Sequence, residues 1–458
     1  MATRIHFSGV AGAGMNPLAR LLAHRGMAVS GSDRALDQGQ CGEVATLLRD
    51  AGVVLFPQDG SAIGEDVQRL VHSTAVERDT PEMAAAQERN VLCQSRPALL
   101  AELIAQAQPG VAVAGTSGKS TIVGMVAWIA EVLAAPLTVL GGASLAKQGA
   151  SHMGCFAAAG VDAPLLAEAC ESDGTLVGYH PGIGLIHNIS RDHNEITELQ
   201  QQFHTFAGHC DHVLYCSDDV TATSCAAAAA QRTSYGEGDA ADWRLQVIRT
   251  GPWRAQGDVH GPNGEQVFLD LPQPGHYTLL NATAAILIAA QLGYDVVAAA
   301  RAMYDFPGVA RRYQVIGTTD HGIRVIDDYA HNGAKIAAVL AAAQEGSDRV
   351  LAIFQPHGYG PARFLREELR ECMPQWLRPG DRLCYSEIFY AGGSVQADIS
   401  SADLAADLIG YCPAAYAPNH MAVVQWACEQ AMPGDTILVM GARDPQLPGL
   451  ARCIFDML

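Results

Sequence analysis

Long apolar runs, a secretion signal and paired cysteines are all missing from this sequence of 458 residues. No stretch approaches the roughly 18 to 20 apolar residues that a helix needs to span a bilayer, so membrane insertion is not expected. Residues 1–7 lead directly into a strand pattern without the apolar core of a signal peptide, which predicts a cytoplasmic protein. The 12 cysteines are scattered from Cys41 to Cys453 without one Cys-x-x-Cys pair, which predicts small buried side chains rather than zinc ligands or disulfides.

Positive charge is also scarce, because 29 lysines and arginines face 48 acidic residues and leave a net charge of −19. This balance argues against binding to nucleic-acid phosphates, although a local basic patch could hold a small anionic substrate. At about 100 to 200 residues per domain, the length predicts two to four domains. We place three, at residues 1–108, 109–312 and 313–458.

The most informative stretch, residues 111–121, reads VAVAGTSGKST and predicts a buried strand, a glycine-rich loop and the start of a helix. In such a loop, backbone N–H groups and the helix N-terminus approach phosphate oxygens, a lysine reaches the distal phosphates and a hydroxyl binds magnesium. A strict phosphate loop would have a glycine at Val113, so a glycine-rich turn with a surface lysine is the alternative. The predicted nucleoside triphosphate site consists of Gly115, Thr116, Gly118, Lys119, Ser120 and Thr121.

The first domain opens with a strand at residues 4–8, a glycine-rich loop and a helix at residues 16–24, and Asp33 follows a second strand. This order predicts a βαβ nucleotide-binding unit whose acidic residue can reach a ribose hydroxyl. The loop spacing is G-x-x-G-x-G, not the dinucleotide pattern G-x-G-x-x-G. A nicotinamide dehydrogenase is therefore an alternative, but it leaves the loop at Gly115 unexplained, and the glycines could also serve close packing alone. A later strand at residues 69–76 ends in small polar residues, including Ser73, where a ligand could sit.

Two strand ends of the second domain carry acidic or imidazole side chains. An apolar strand before Glu168 runs into Glu171, and another apolar strand precedes His193. Strand ends beside a phosphate loop commonly carry the groups that hold magnesium, so the two ends together favour a metal site over a solvated loop. Asn281, on an apolar helix, either contacts the nucleotide or packs the helix.

Strand and helix patterns alternate through the third domain, which predicts an open, mostly parallel sheet with ligands at its carboxyl edge. Polar residues fall at four strand ends, represented by Asp328 with His331, by His357, by Glu387 and by Asp444. Four such ends on one edge favour a site over ordinary polar loops.

Several motifs then occur in one order, and over nearly its whole length the chain resembles the Mur ligases. The motifs are HFxGxxGAGM at 6–15, SGSD at 30–33, GTxGK at 115–119, EAxESD at 168–173, GVxRR at 308–312, DDY at 327–329, FQPH at 354–357 and EIxxAG at 387–392. The resemblance implies an α/β protein with a Rossmann-like UDP-binding domain, a central P-loop ATPase-like domain and a C-terminal Rossmann-like domain that binds the amino acid.

The implied activity is ATP-dependent amide bond formation in peptidoglycan precursor synthesis. The carboxylate of a UDP-sugar, UDP-N-acetylmuramate, attacks the γ-phosphate of ATP, and the amine of an amino acid or short peptide then displaces phosphate from the acyl phosphate. The implied cofactors are ATP and Mg²⁺, and the acceptor is L-alanine by this resemblance. Cations are needed because they offset charge repulsion during phosphoryl transfer.

The resemblance also implies roles for single residues. The catalytic group consists of Lys119, Glu171, His193 and His331, and the metal ligands are Ser120, Glu171 and His193. The nucleotide is contacted by the loop residues together with Asn281, Arg312 and Asp328. The substrates are contacted by Gly9, Gly12, Gly14, Met15, Asp33, Ser73, His357 and Arg363.

The chain departs from the family pattern at informative positions. Ser117 stands where the family has a histidine, and Arg363 is one arginine where several are expected after His357. An α-carboxylate is best held by arginine, so the acceptor stays open between L-alanine, a murein tripeptide and a different partner outside peptidoglycan. Arg443 replaces a family glycine and adds one positive charge. A P-loop phosphotransferase or ATPase that stops after phosphate transfer is the remaining alternative.

Overall fold

A computed structural model describes residues 4–39, 41–73, 76–77, 80–146, 156–171, 174–190, 195–390 and 397–458. The strands form three sheets, of five, ten and six strands, and the predicted three-domain α/β fold is confirmed. Within the described residues, every helix is too short or too polar to cross a bilayer.

The N-terminal sheet is parallel and has the strand order β3-β2-β1-β4-β5. The predicted first strand and first helix are found at the predicted residues. Helix α1 buries Leu18, Leu21 and Leu22, whose spacing places them on one helical face. The strands are β1 (Arg4–Ser8), β2 (Ala28–Ser32), β3 (Val54–Leu55), β4 (Val67–His72) and β5 (Leu92–Ser95), and the helices are α1 (Asn16–His24), α2 (Arg34–Asp37), α3 (Gly42–Asp50), α4 (Pro81–Glu88) and α5 (Arg96–Gln106).

The second sheet has the order β15-β14-β13-β12-β11-β10-β6-β9-β7-β8, and β6 lies between β10 and β9, parallel to both. The helix after the phosphate loop runs as predicted, from Lys119 to Val132. The strands are β6 (Gly110–Ala114), β7 (Thr138–Leu140), β8 (Phe156–Ala157), β9 (Leu165–Glu168), β10 (Ile183–Ile186), β11 (His212–Cys216), β12 (Arg232–Gly236), β13 (Trp243–Thr250), β14 (Ala255–His260) and β15 (Gln266–Leu271). The helices are α6 (Lys119–Val132), α7 (Ile196–His209), α8 (Val220–Ala226), α9 (His276–Gln291) and α10 (Val296–Ala302), with 3₁₀ turns at Thr175–Gly178 and Met303–Asp305.

The third sheet has the order β16-β17-β21-β18-β19-β20 and is parallel except for β16. Both faces are covered, because alternate residues of β18 enter different cores: Ala352 and Phe354 one, Leu351 and Ile353 the other. The strands are β16 (Gln314–Thr318), β17 (Arg324–Asp328), β18 (Val350–Gln355), β19 (Arg382–Ser386), β20 (Ala414–Ala417) and β21 (Thr436–Gly441), and the helices are α11 (Gly333–Glu345), α12 (Tyr359–Trp376), α13 (Ser401–Ala406), α14 (His420–Gln430) and α15 (Leu447–Met457).

The chain divides into two compact units. One contains Met1–Ile248, Gln256–Asp270 and Leu279–Pro307, and the other contains Arg249–Ala255, Leu271–Thr278 and Gly308–Leu458. In the first unit, one apolar core runs from Phe7 of β1 through Ile104 of α5 to Ala229, so it serves both the N-terminal and the second sheet. The domain boundaries after residues 108 and 312 stay predictions.

A short segment from the sequence of the second sheet folds with the second unit. The guanidinium carbon of Arg324 lies 3.2 Å from the centroid of the Trp253 ring, an arrangement that a cation–π interaction stabilises. Pro252 packs beside Gly346, where a Cβ atom would meet the proline Cβ at 2.5 Å. Residues 249–255 therefore belong to the same compact unit as the third sheet, which follows much later in the sequence.

Candidate active site around the phosphate loop

The phosphate loop lies at the carboxyl end of the fully buried strand β6. Gly115 and Gly118 have φ angles of 145° and 87°, which residues other than glycine rarely adopt. Helix α6 begins directly after Gly118. A Cβ atom on Gly118 would meet Asn281 Oδ1 at 2.7 Å and His187 Cδ2 at 2.8 Å. Both conformation and space therefore require glycine here, and the predicted strand, loop and helix are present.

Lys119 is held by two groups at the base of this loop. Its Nζ donates to Glu171 Oε2 at 2.8 Å and also to the carbonyl oxygen of Gly115. The Lys119 and Glu171 side chains are 14% and 8% exposed. The structure thus brings together two residues that the sequence predicted for one catalytic group, although they come from different elements.

Glu168 is a second carboxylate at this site and was missing from the predicted functional residues. It accepts a hydrogen bond from Ser120 Oγ at 3.0 Å and one from the backbone N–H of Gly142 at 2.5 Å. Its position in the acidic run at the end of β9 was the available signal, but the sequence could not show which acid of that run faces the loop. The structure places Glu168 against Ser120 and Glu171 against Lys119.

The other predicted loop residues contact the chain after β10 or lie at the start of α6. Thr116 is buried, and its Oγ1 donates to the carbonyl oxygen of Ser190 at 3.1 Å. Asn188 clamps Ser117, because its Oδ1 accepts from Ser117 N at 2.8 Å and its Nδ2 donates to Ser117 O at 3.2 Å. Thr121 lies in the first turn of α6. The loop is therefore fixed through the residues that follow β10.

His193 lies outside the described residues, so its predicted role at the metal has no structural counterpart here. Within the residues that the structure does describe, no group of three or more histidine, cysteine, aspartate or glutamate side chains is arranged to hold a metal ion. The hydroxyl of Ser120 and the carboxylates of Glu168 and Glu171 are nevertheless oxygen donors at one loop. Oxygen donors are the ligands that Mg²⁺ takes, usually together with phosphate oxygens and water, so this donor set fits the ion.

His187 is a buried residue behind the loop that sequence analysis did not assign to the site. Its Nδ1 lies 2.5 Å from the hydroxyl oxygen of Tyr235. Burial lowers the pKa of His187 to about 4, against the opposing effects of the Asp219 carboxylate and the Asn281 amide. The imidazole is therefore neutral at physiological pH. Asn281, predicted to contact the nucleotide, lies beside it and is also buried.

The predicted substrate residues of the N-terminal sheet surround the loop after β1. Gly9 and Gly12 are joined by a backbone hydrogen bond of 3.2 Å, and Gly9 would place a Cβ atom 3.3 Å from the Cβ of Ser73. The Asp33 carboxylate accepts from the N–H groups of Ala11 and Ala35 at 3.0 and 2.9 Å. The acidic residue thus fixes the loop and caps helix α2.

Gly14 and Met15 differ in their surroundings. The Arg96 side chain passes over Gly14, where a Cβ atom would lie 2.9 Å from Arg96 Cδ. Met15 is 1% exposed and belongs to the apolar core. The Met15 side chain therefore packs the domain, whereas Arg96, absent from the predicted site, brings a positive charge to this loop.

A buried polar network lies at the ends of β1 and β2, next to the loop that follows β1. Glu82 is fully buried and accepts from Ser8 Oγ and Ser32 Oγ, and its Oε1 lies 2.9 Å from His6 Nε2. Burial would raise the pKa of Glu82, but these partners together hold it below its usual value. Such a satisfied network joins α4 to the ends of β1 and β2.

In the second unit, Asp328 organises the chain after residue 310. Its two carboxylate oxygens accept from Tyr313 N at 2.6 Å and Ala330 N at 2.7 Å. Burial raises the pKa of Asp328, and the positive charge of Arg312 acts in the opposite direction. The guanidinium carbons of Arg311 and Arg312 lie 4.9 and 5.0 Å from the centroid of the Tyr329 ring. Arg312 and Asp328 are therefore neighbours, as their common predicted role requires.

His331 and His357 are also neighbours, with ring centroids 5.5 Å apart. His331 Nδ1 lies 2.8 Å from the carbonyl oxygen of Tyr329. Arg363, on helix α12, pairs with Asp398 and is 42% exposed. The structure thus brings together the two histidines, one after β17 and the other after β18. Arg363, by contrast, is held by the Asp398 carboxylate.

Three family models match successive parts of the chain. Residues 4–108 match the Mur ligase family, catalytic domain, residues 113–289 match the Mur ligase middle domain, and residues 311–443 match the Mur ligase, glutamate ligase domain. The three matches follow the order of the three sheets.

Curated and solved proteins agree with these matches. A UDP-N-acetylmuramate–L-alanine ligase from Thermobifida fusca is 33% identical over 96% of this chain and 94% of its own length. A UDP-N-acetylmuramate-alanine ligase from Thermotoga maritima has the same fold, with a TM-score of 0.77 at 23% identity over 99% and 98% of the two chains. A murein peptide ligase from Psychrobacter arcticus gives a TM-score of 0.68 at 20% identity over 99% and 98%. Because a relative that is 33% identical aligns along nearly the whole length of this chain, the chain belongs to the Mur ligase family.

Proposed function

We propose that the protein is an ATP-dependent ligase that joins L-alanine to the carboxylate of UDP-N-acetylmuramate, in the cytoplasmic synthesis of peptidoglycan precursors. One observation carries the proposal: Lys119 and Glu171 meet at 2.8 Å on a phosphate loop, in a chain similar along its length to UDP-N-acetylmuramate–L-alanine ligases. The chemistry requires this kind of site, because a free carboxylate is a poor electrophile until it is phosphorylated.

At the loop, the N-terminus of α6 and the backbone N–H groups of Gly118 and Lys119 would favour phosphate oxygens, whereas the N–H groups of Thr116 and Ser117 donate to Asn188. Lys119 would exchange its contact with Glu171 for the β- and γ-phosphates. Ser120 and Glu171, with His193, would hold Mg²⁺, and the oxygen donors at the loop fit this ion. Mg²⁺ would supply positive charge that offsets the repulsion between phosphate and the attacking carboxylate.

The other two substrates would bind elsewhere in the chain. The loop from Gly9 to Gly14 and Ser73 would hold the uridine diphosphate, and Asp33 supports that loop. Arg312, Asp328 and Asn281 would contact ATP. The histidines His331 and His357 would face the incoming amine, and Arg363 its carboxylate.

The proposal is tested by measuring phosphate release from ATP with each substrate omitted in turn. A ligase releases phosphate at a substantial rate only when the UDP-sugar acid and the amino acid are both present. Steady release without any amine would instead identify a phosphotransferase or ATPase. Mass spectrometry of the product then shows whether an amide has formed.

A different acceptor is the second candidate, and one observation favours it. Arg363 is the one arginine in residues 358–363, directly after His357, and it is already paired with Asp398. An α-carboxylate would have to displace this partner. A panel of amino acids and murein tripeptide, assayed with one UDP-sugar, distinguishes the two candidates through kcat/KM. The variant Arg363→Ala should raise KM for the acceptor much more than KM for ATP.

A further inference from the structure

The most informative unassigned feature is the buried row of Tyr235, His187 and Asn281 behind the phosphate loop. We infer that Tyr235 and His187 form a hydrogen-bond relay that fixes the orientation of the Asn281 amide toward the bound nucleotide. Both are thus positioning residues for ATP. The inference rests on the proposed function, which places Asn281 at the nucleotide.

Geometry places the three side chains in sequence. Tyr235 is fully buried, and its hydroxyl oxygen lies 2.5 Å from His187 Nδ1. The ring planes of Tyr235 and His187 are nearly parallel, at an interplanar angle of 7°, with their centroids 6.0 Å apart. On the other side of the imidazole, His187 Nε2 and Asn281 Oδ1 flank one point, the position of a Cβ atom on Gly118, at 3.1 and 2.7 Å.

Asn281 Oδ1 is the open end of this row. It is buried, and among the described residues it makes no hydrogen bond of ordinary geometry. A buried acceptor without a donor is costly, so a neighbouring group that can donate has a clear effect on its state. The imidazole Nε2 of His187 is that neighbour when it carries the proton.

Proton counting selects one arrangement of the neutral imidazole. If the Tyr235 hydroxyl donates to Nδ1, the proton of His187 is on Nε2 and can be donated to Asn281 Oδ1. If Nδ1 instead carries the proton, the tyrosine hydroxyl loses its acceptor, and an unprotonated Nε2 faces the amide oxygen. The first arrangement satisfies three buried groups and the second leaves two of them unmet.

The titration behaviour of both partners supports this arrangement. Burial raises the pKa of Tyr235 well above its usual value, so the hydroxyl keeps its proton. Burial also keeps His187 neutral, because its pKa is about 4. Donation from His187 to Oδ1 would leave the amide NH₂ of Asn281 to donate to the ring-nitrogen acceptors of a purine base.

The test compares the binding of ATP with the binding of inorganic tripolyphosphate, which lacks the base. Tyr235→Phe should weaken ATP about 5- to 10-fold, the range of one lost hydrogen bond, and leave tripolyphosphate within about 2-fold. Tyr215→Phe, a half-buried tyrosine on the neighbouring strand, is the matched control and should change neither. Kd values from calorimetry are the readout.

A second pair of variants covers the case in which Tyr235→Phe does not fold. His187→Gln keeps an N–H near Nε2 and should bind ATP within about 3-fold of the wild type, whereas His187→Leu should lose at least 10-fold, again with tripolyphosphate unchanged. Equal binding of ATP by all variants would overturn the relay, as would equal weakening of both ligands. A wild type that binds neither ligand would contradict the proposed function itself.

Discussion

Lys119 and Glu171 form an ion pair at 2.8 Å at the base of the phosphate loop, and under the proposed function the Glu171 carboxylate takes the place of phosphate as the partner of Lys119. Both side chains are largely shielded from water, so their interaction is stronger than that of a surface pair. The Lys119 ammonium is already held where distal phosphates are expected.

Replacing Lys119 by alanine should abolish ATP turnover, with kcat reduced at least about 100-fold, because the transferring phosphate loses its preorganised cation. Binding of the UDP-sugar should change by less than about 2-fold, since the loop of the N-terminal sheet is untouched. Rapid-quench turnover and calorimetry measure the two quantities. Arg244→Ala, which removes a surface ion pair in the same sheet, is the control. Normal turnover in Lys119→Ala would refute the phosphate-loop assignment.

Glu171→Gln should have opposite effects on binding and on turnover. With EDTA present, ATP should bind about 3- to 10-fold more tightly than to the wild type, because Lys119 no longer has an internal anion as its partner. With magnesium present, turnover should be lost. Equilibrium dialysis with labelled ATP measures the affinity, and Glu131→Gln, on the same helix as Lys119, is the control. Weaker binding in EDTA would show that Glu171 does not compete for Lys119.

His187 should make stability depend on pH. Its pKa is about 4 when folded and about 6.5 when unfolded, so the unfolded chain binds more protons between these values. The contribution is fully present above pH 6.5 and is lost as the pH falls toward 4. Relative to His187→Gln, the wild type should lose about 3 kcal/mol of unfolding free energy across this interval. Urea titrations at pH 7 and pH 4.5 measure the difference, and parallel curves would refute the buried neutral state.

At this scale the sequence predicted the types of chemical group better than their partners. Lys119 and Glu171 were predicted as one group, because each stands in a recognisable motif, and the structure places them in contact. His187 could not be predicted, since it directly follows the apolar residues of β10 and looks like an ordinary buried position. Its contacts with Tyr235 and Asn281 join residues that are distant in sequence, and only the sheet order brings them together.

At the scale of elements, helix α5 and strand β6 meet at a close junction between Ile104 and Gly110. A Cβ atom on Gly110 would lie 1.9 Å from the carbonyl oxygen of Ile104, so the helix end and the strand start cannot both stay in place with a side chain there. This junction holds β6, and through it the phosphate loop, at a fixed distance from the N-terminal sheet.

Gly110→Ala should therefore destabilise the protein by about 2 kcal/mol or more, within the range of overpacked sites. Gly208→Ala is the matched control, because Gly208 lies in helix α7 with open space around its Cβ position. That variant should gain about 0.5 kcal/mol from the helix preference of alanine. Urea denaturation compares the two, and similar midpoints would contradict the close approach at Gly110.

Elements with strong periodicity were predictable, and elements without it were not. Helix α1 and strand β1 match their predicted residues, because their apolar spacing and flanking glycines are clear. Helix α8, with the sequence VTATSCA, has small side chains and no strong apolar stripe, so it depends on the Asp219 N-cap and on packing within its unit. Strand β20 is equally short and alanine-rich.

At the scale of the whole molecule, the two compact units should unfold in separate steps. All contacts described for the phosphate loop lie within the first unit, so a ligand of that loop stabilises this unit by mass action. Differential scanning calorimetry should show two transitions. Tripolyphosphate at about 100 times its Kd adds about 2.7 kcal/mol to the first unit and should leave the other transition in place. A single transition that shifts as a whole would contradict this division.

The packing of Trp253 against Arg324 also bears on how the second unit could be exchanged by recombination. An exchange that replaces only residues after 307 would import a foreign surface opposite Trp253 and Pro252, which fold with the second unit but are encoded far upstream. A functional chimera must therefore transfer residues 249–255 and 271–278 together with the C-terminal part. Inheritance of the second unit is thus tied to two short segments that lie before residue 307 in the sequence, and a single crossover cannot move it intact.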